Sequence, residues 1–143
     1  MAKTLTTTAS WNGGMRIDAK AGNHLVIVDQ PKGMGGQNEG ANPMEYFLIS
    51  LAGCIGTIGA IIANQERIKL NAINIDIEGD YDPAYLLGKT KEGRAGFTEI
   101  RTWVDIDADM TKEEKEAFLA RIDARCPISD NMINNTNLLF EVK

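Results

Sequence analysis

From Phe47 to Ala63 the chain carries no charged side chain, and that run decides most of what it can fold into. Asn42 stands before it as a cap, Pro43 takes the first helical position and Glu45 lies in the first turn. A helix is therefore expected from Pro43 to about Arg67. So apolar a helix has to be hidden from water, in a protein core or in a membrane. It falls short of the roughly 20 apolar residues that a span needs, and it includes Ser50, Thr57 and three glycines. A buried central helix is the expectation. Gly53, Gly56, Ala60 and Ala63 recur at spacings of three and four, which forms a smooth stripe. Glycine costs a helix about 1 kcal/mol relative to alanine, so the stripe implies close packing, with a second copy of the same helix as one candidate partner.

The flanking segments read as strands and short helices. Two or three short strands fall between Leu5 and Gln30, among them Met15 to Ala19 and His24 to Val28. Asn12-Gly13-Gly14 and Ala21-Gly22-Asn23 mark the turns between them. Pro31 to Asn42 is glycine-rich and polar, a loop without the strand and glycine order of a nucleotide fingerprint. After the long helix, Ile73, Ile75 and Ile77 alternate with polar residues, and Phe97 to Asp107 alternates again, so the two segments should pair as a hairpin around a loop from Asp80 to Ala95. Thr111-Lys112-Glu113-Glu114 is a capping box for a helix ending near Arg125. A short helix follows from Pro127 to about Asn134, and Leu138 to Val142 is expected to close as a last strand. That order gives an α+β fold, antiparallel sheets around a long central helix, in one domain spanning residues 1–143.

A chain of 143 residues and 15.6 kDa can bury a core of its own. The net charge of −5, without a Lys/Arg cluster, argues against nucleic acid as a partner. Two cysteines are too few for a secreted disulfide framework, and no CxxC or His/Cys cluster suggests a metal. The first residues have no apolar leader core, and the reading is a cytoplasmic protein outside the membrane.

The chemistry-bearing candidates are few. Cys126 precedes Pro127 at an expected helix start, where the partial positive charge of the terminus stabilises a thiolate. Cys54 lies in the middle of the apolar helix. It is either core filler or a nucleophile whose activating cation comes from elsewhere in the protein. His24 is the single histidine, on a short strand. The run Asp105, Asp107 and Asp109 lacks the glycine and distal glutamate of a calcium loop.

Pro43-Met44-Glu45-Tyr46-Phe47-Leu48-Ile49-Ser50-Leu51-Ala52-Gly53-Cys54 resembles the cysteine-bearing helix of the OsmC/Ohr family, the osmotically inducible and organic hydroperoxide resistance proteins. Arg125-Cys126-Pro127-Ile128-Ser129 resembles that family's second cysteine motif. The likeness covers nearly the whole chain. It implies a thiol-dependent peroxidase of oxidative-stress defence that reduces organic hydroperoxides without a cofactor or metal. Cys54 would be the peroxidatic thiolate that becomes a sulfenic acid, and Cys126 the resolving thiol that condenses with it to a disulfide. A dithiol such as a dihydrolipoyl protein would then reduce the bridge. The resemblance also implies an arginine that lowers the thiolate pKa, which maps to Arg16, and a glutamate that orients it, which maps to Glu45. Phe47, Leu51 and Ile58 would line a pocket for the alkyl group.

In the organic hydroperoxide branch the glutamate stands one residue farther from the cysteine, where this chain has Met44, so the chain fits OsmC-like relatives better than that branch. Along one straight helix Glu45 and Cys54 lie about 13 to 14 Å apart and on roughly opposite faces. If both serve one site, they come from different subunits, in keeping with the intertwined homodimer that the resemblance implies. A protein that binds a small ligand on the same scaffold, its cysteines without catalytic use, is the alternative.

Overall fold

The charge-free run folds as helix α1, Pro43–Glu66, in the computed structural model, which describes residues 1–143. Its start is a reciprocal cap. The Glu45 N–H donates to the Asn42 side chain at 2.9 Å, and the Asn42 N–H donates to the Glu45 carboxylate at 2.8 Å. Two donors that a helix start leaves open are thereby satisfied. At the other end Arg67 turns left-handed, with φ of 56°, and the Ile68 N–H reaches back to the Ala63 carbonyl. Glycine usually fills that place.

Contacts divide the chain into two compact units, Met1–Phe47 and Leu48–Lys143. The first contains an antiparallel sheet of β1 (Thr7–Trp11), β2 (Ile17–Ala21) and β3 (His24–Val28) in that order. Gly13, Gly14 and Gly22 take the positive φ angles of its turns. The glycine-rich loop that follows opens with a short 3-10 turn, Lys32–Met34, and is organised around Asp29. This carboxylate, only 1% exposed, accepts the N–H groups of Gln30, Gln37 and Glu39 at 2.8, 3.0 and 3.1 Å. Gly36 and Gly40 have no room for a side chain, because a Cβ would overlap the carbonyls of Gln30 and Ile27. No apolar side chain in this unit is buried, and Trp11 and Leu25 stand 65% and 74% exposed.

The second unit holds the core. Strands β4 (Leu70–Asp80) and β5 (Glu99–Ala108) pair antiparallel, with Ile73 opposite Ile106 and Ile75 opposite Val104. The segment between them contains the short helix α2 (Pro83–Leu86), capped by Asp82. Helix α3 (Lys112–Asp123) starts on the Thr111 capping box, and α4 (Pro127–Ile133) follows after a corner. Leu51, Ile55, Ile62 and Ala63 of α1 pack with Ile106 of β5, Phe118 and Ile122 of α3, and Cys126. Phe118 and Ile122 have no exposed surface at all. The fold is α+β, with antiparallel sheets and a long helix.

Two expectations change. Leu138 to Val142 is not a strand: it has no ladder partner, and Leu138, Leu139, Phe140 and Val142 are 73% to 103% exposed. A strand exists only where a neighbouring strand takes up its backbone groups, and this chain offers none there. Helix α1 has the expected extent, but it is not buried all round. With 24 residues and a mean hydropathy of 2.0 it passes the length and composition test for a membrane span, which core helices also pass. It is buried on one face only, and Phe47, Ile49 and Ile61 are exposed on the other.

Candidate active site

Cys54 and Cys126, 72 positions apart, meet in the second unit with their sulfurs 2.7 Å apart in a thiol–thiol hydrogen bond. Both are free thiols. The meeting follows from how α3 ends. The Ala124, Arg125 and Cys126 N–H groups close the last turn on the carbonyls of Ala120, Ile122 and Asp123. Pro127 then forbids Cys126 the helical conformation, so Cys126 turns extended, with φ −83° and ψ 107°. Proline also suits the first position of a new helix, since it has no N–H to leave unpaired.

Cys126 is thus the cap of α4, its sulfur taking the place of a serine hydroxyl and accepting the Ser129 N–H at 3.3 Å. The Ile128 N–H is directed at Cys54. The first two N–H groups of α4 therefore serve one sulfur each. Cys126 is sealed at 2% exposure, whereas Cys54 is half-buried, so a reagent reaches Cys54 first.

Burial pushes the Cys54 thiol above its ordinary range, and the hydrogen bond with Cys126 adds to this, while the Ile128 N–H works in the opposite direction. No arginine or lysine hydrogen-bonds either sulfur. On balance the groups around Cys54 within the one chain favour its neutral thiol.

The first unit presents one built guanidinium site. Arg16 donates from Nε and Nη2 to the Asp18 carboxylate at 3.0 and 2.7 Å, and from Nη1 to the Glu39 carboxylate at 3.0 Å. The bonds to Asp18 and then Glu39 raise its pKa further. Within the one chain Glu45 gives one carboxylate oxygen to the Asn42 cap, and the Arg16 guanidinium is held by Asp18 and Glu39. Asp18 was within reach of the sequence, because residues two apart on extended chain share a side. Glu39 was not, because its position depends on the loop wrapping Asp29.

The expected pocket residues divide. Leu51 is core at 8% exposure, Ile58 packs against that core, and Phe47 is 44% exposed in the first unit. An open groove of about 540 Å³ lies between Arg67–Lys69, Asp109–Met110 and α3, and neither cysteine lines it. His24 is exposed on β3, opposite Ala21.

Comparison with known proteins agrees with this architecture. Residues 36–141 match the family model described as OsmC-like protein. An uncharacterized protein of Methanocaldococcus jannaschii is 28% identical over 102 residues, covering 70% of this chain and 49% of its own length, so the chain spans about half of that curated relative. The crystal structure of an OsmC-like protein from Mycoplasma pneumoniae superposes with a TM-score of 0.78 at 22% identity, over 92% of this chain and 89% of that one. An organic hydroperoxide resistance protein from Legionella pneumophila gives 0.67 at 21% identity, over 94% and 93%.

Proposed function

The chain belongs to the OsmC-like family, and from that premise we propose that it is a cysteine-based peroxidase reducing organic hydroperoxides in the cytoplasm. The observation that carries the proposal is the 2.7 Å approach of Cys54 to Cys126, with the more accessible sulfur on α1 and the sealed one at the start of α4. The Cys54 thiolate attacks a peroxide oxygen, the O–O bond breaks, and the alkoxide leaves as alcohol after taking a proton. Cys54 is then a sulfenic acid. The Cys126 thiolate attacks that sulfur, the S–O bond breaks, and the oxygen leaves as water. A dithiol, such as a dihydrolipoyl protein, returns the disulfide to two thiols by exchange.

The raised pKa of Cys54 sets the second requirement, a cation. We assign this role to Arg16, whose guanidinium Asp18 and Glu39 already orient. The working unit is proposed to be a homodimer. Support comes from the first unit, whose three-stranded sheet buries no apolar side chain of its own, and a sheet that small needs an apolar face packed on something. The open face of α1 and the apolar stretch Leu138 to Val142 are further surface for a second copy. Phe47, Leu51 and Ile58 are proposed to meet the alkyl group.

Stopped-flow reduction of cumene hydroperoxide tests the reading. The wild-type protein turns over with a dithiol donor, and Cys54→Ser does not. Undiminished turnover in Cys54→Ser would falsify it.

A further inference from the structure

The corner that presents Cys126 is fastened by one residue outside both cysteine motifs. Asp123 ends α3, and its backbone carbonyl accepts the Cys126 N–H at 3.0 Å. Its carboxylate accepts the Ser129 hydroxyl at 2.6 Å. Ser129 in turn donates its backbone N–H to the Cys126 sulfur at 3.3 Å. Asp123, Cys126 and Ser129 thus form a closed ring of hydrogen bonds around the corner between the two helices. A hydroxyl-to-carboxylate bond of this length is charge-assisted and among the stronger side-chain contacts. Helix α4 has only seven residues and little cohesion of its own; Ile128 and Met132 pack it on the core, and this bond ties its first turn to the end of α3.

We propose that Asp123 is a positioning residue for disulfide formation: through Ser129 it holds the Cys126 sulfur against Cys54. Asp123 touches neither peroxide nor Cys54, so it acts on the second step rather than the first. The inference rests on the peroxidase reading for its biological use, but the geometry is testable without peroxide. A dipyridyl disulfide provides the probe. The Cys54 thiolate attacks one of its sulfurs, the probe's S–S bond breaks and one thiopyridone leaves. The Cys126 thiolate then attacks the Cys54 mixed disulfide, that bond breaks, and the second thiopyridone leaves as the Cys54–Cys126 disulfide forms.

The two releases are followed by absorbance in the full-length protein and in the variants Asp123→Ala, Asp123→Asn and Ser129→Ala. In Asp123→Ala the second phase slows about tenfold, the lower range for loss of one charge-assisted bond, while the first keeps its rate. Ser129→Ala gives the same slowing, adding Asp123→Ala to it changes little further, and Asp123→Asn, which keeps an acceptor, recovers most of the rate. A parallel run with cumene hydroperoxide traps the Cys54 sulfenic acid with dimedone, and more of it is trapped in Asp123→Ala. A second phase unchanged in both Asp123→Ala and Ser129→Ala overturns the positioning role. Two normal phases with the probe but no reaction with the hydroperoxide leave that role standing and overturn the peroxidase reading instead.

Discussion

At the scale of single residues, two carboxylates explain how a polar loop is held. Asp29 is buried, and the Glu39 N–H first, with those of Gln30 and Gln37, keeps its carboxylate below the usual 3.8 while burial opposes them. Its folded pKa is depressed, so its contribution to stability is complete above the unfolded value and is lost as pH falls through the folded one. Wild type is therefore expected to lose more thermal stability than Asp29→Asn between pH 5 and pH 3, because the variant has no ionised group to protonate there. Parallel melting curves check this, and equal losses would contradict it. Glu39 carries the loop's order to Arg16 through its own side chain. A sequence shows that Asp29 and Glu39 are acidic, but not that one is a buried anchor and the other a guanidinium partner.

At the scale of elements, α1 separates two kinds of glycine that look alike in the sequence. A Cβ on Gly59 would stand 2.5 Å from the Ile73 Cδ1 and 3.2 Å from that of Ile122, so this glycine lets the helix approach β4 and α3. A Cβ on Gly53 would meet nothing within 4 Å. Gly59→Ala is expected to destabilise the protein by about 1 to 3 kcal/mol through overpacking. Gly53→Ala should stabilise a lone chain by up to about 1 kcal/mol through helix propensity, and weaken assembly if a second copy packs there. Urea unfolding and sedimentation of both variants separate the two effects. The expected stripe of Gly53, Gly56, Ala60 and Ala63 is thus divided in one chain: Ala63 is buried, while Gly53 and Ala60 are open. Periodicity shows which residues share a face; only packing shows what that face meets.

At the scale of the whole molecule, most of the architecture was legible in the sequence. The charge-free run, the Asn42 cap, the Thr111 capping box and the period-two isoleucines each translate directly into an element. What failed was Leu138 to Val142, whose apolar pattern suits a strand but which has no strand beside it in this chain. The same exposure yields a prediction. The protein should sediment at twice its 15.6 kDa chain mass, and removal of residues 138–143 should shift it towards monomer. A monomer at all concentrations would count against the dimer. The cysteine pair was legible only as two motifs in order, because a sulfur contact across 72 positions depends on the whole fold of the second unit. The most direct measurement of the central claim follows from that contact. Reduced protein is treated with one equivalent of cumene hydroperoxide, alkylated, digested and mapped by mass spectrometry. The expected product is an intramolecular disulfide joining the Cys54 and Cys126 peptides; recovery of both peptides as alkylated free thiols would contradict the account.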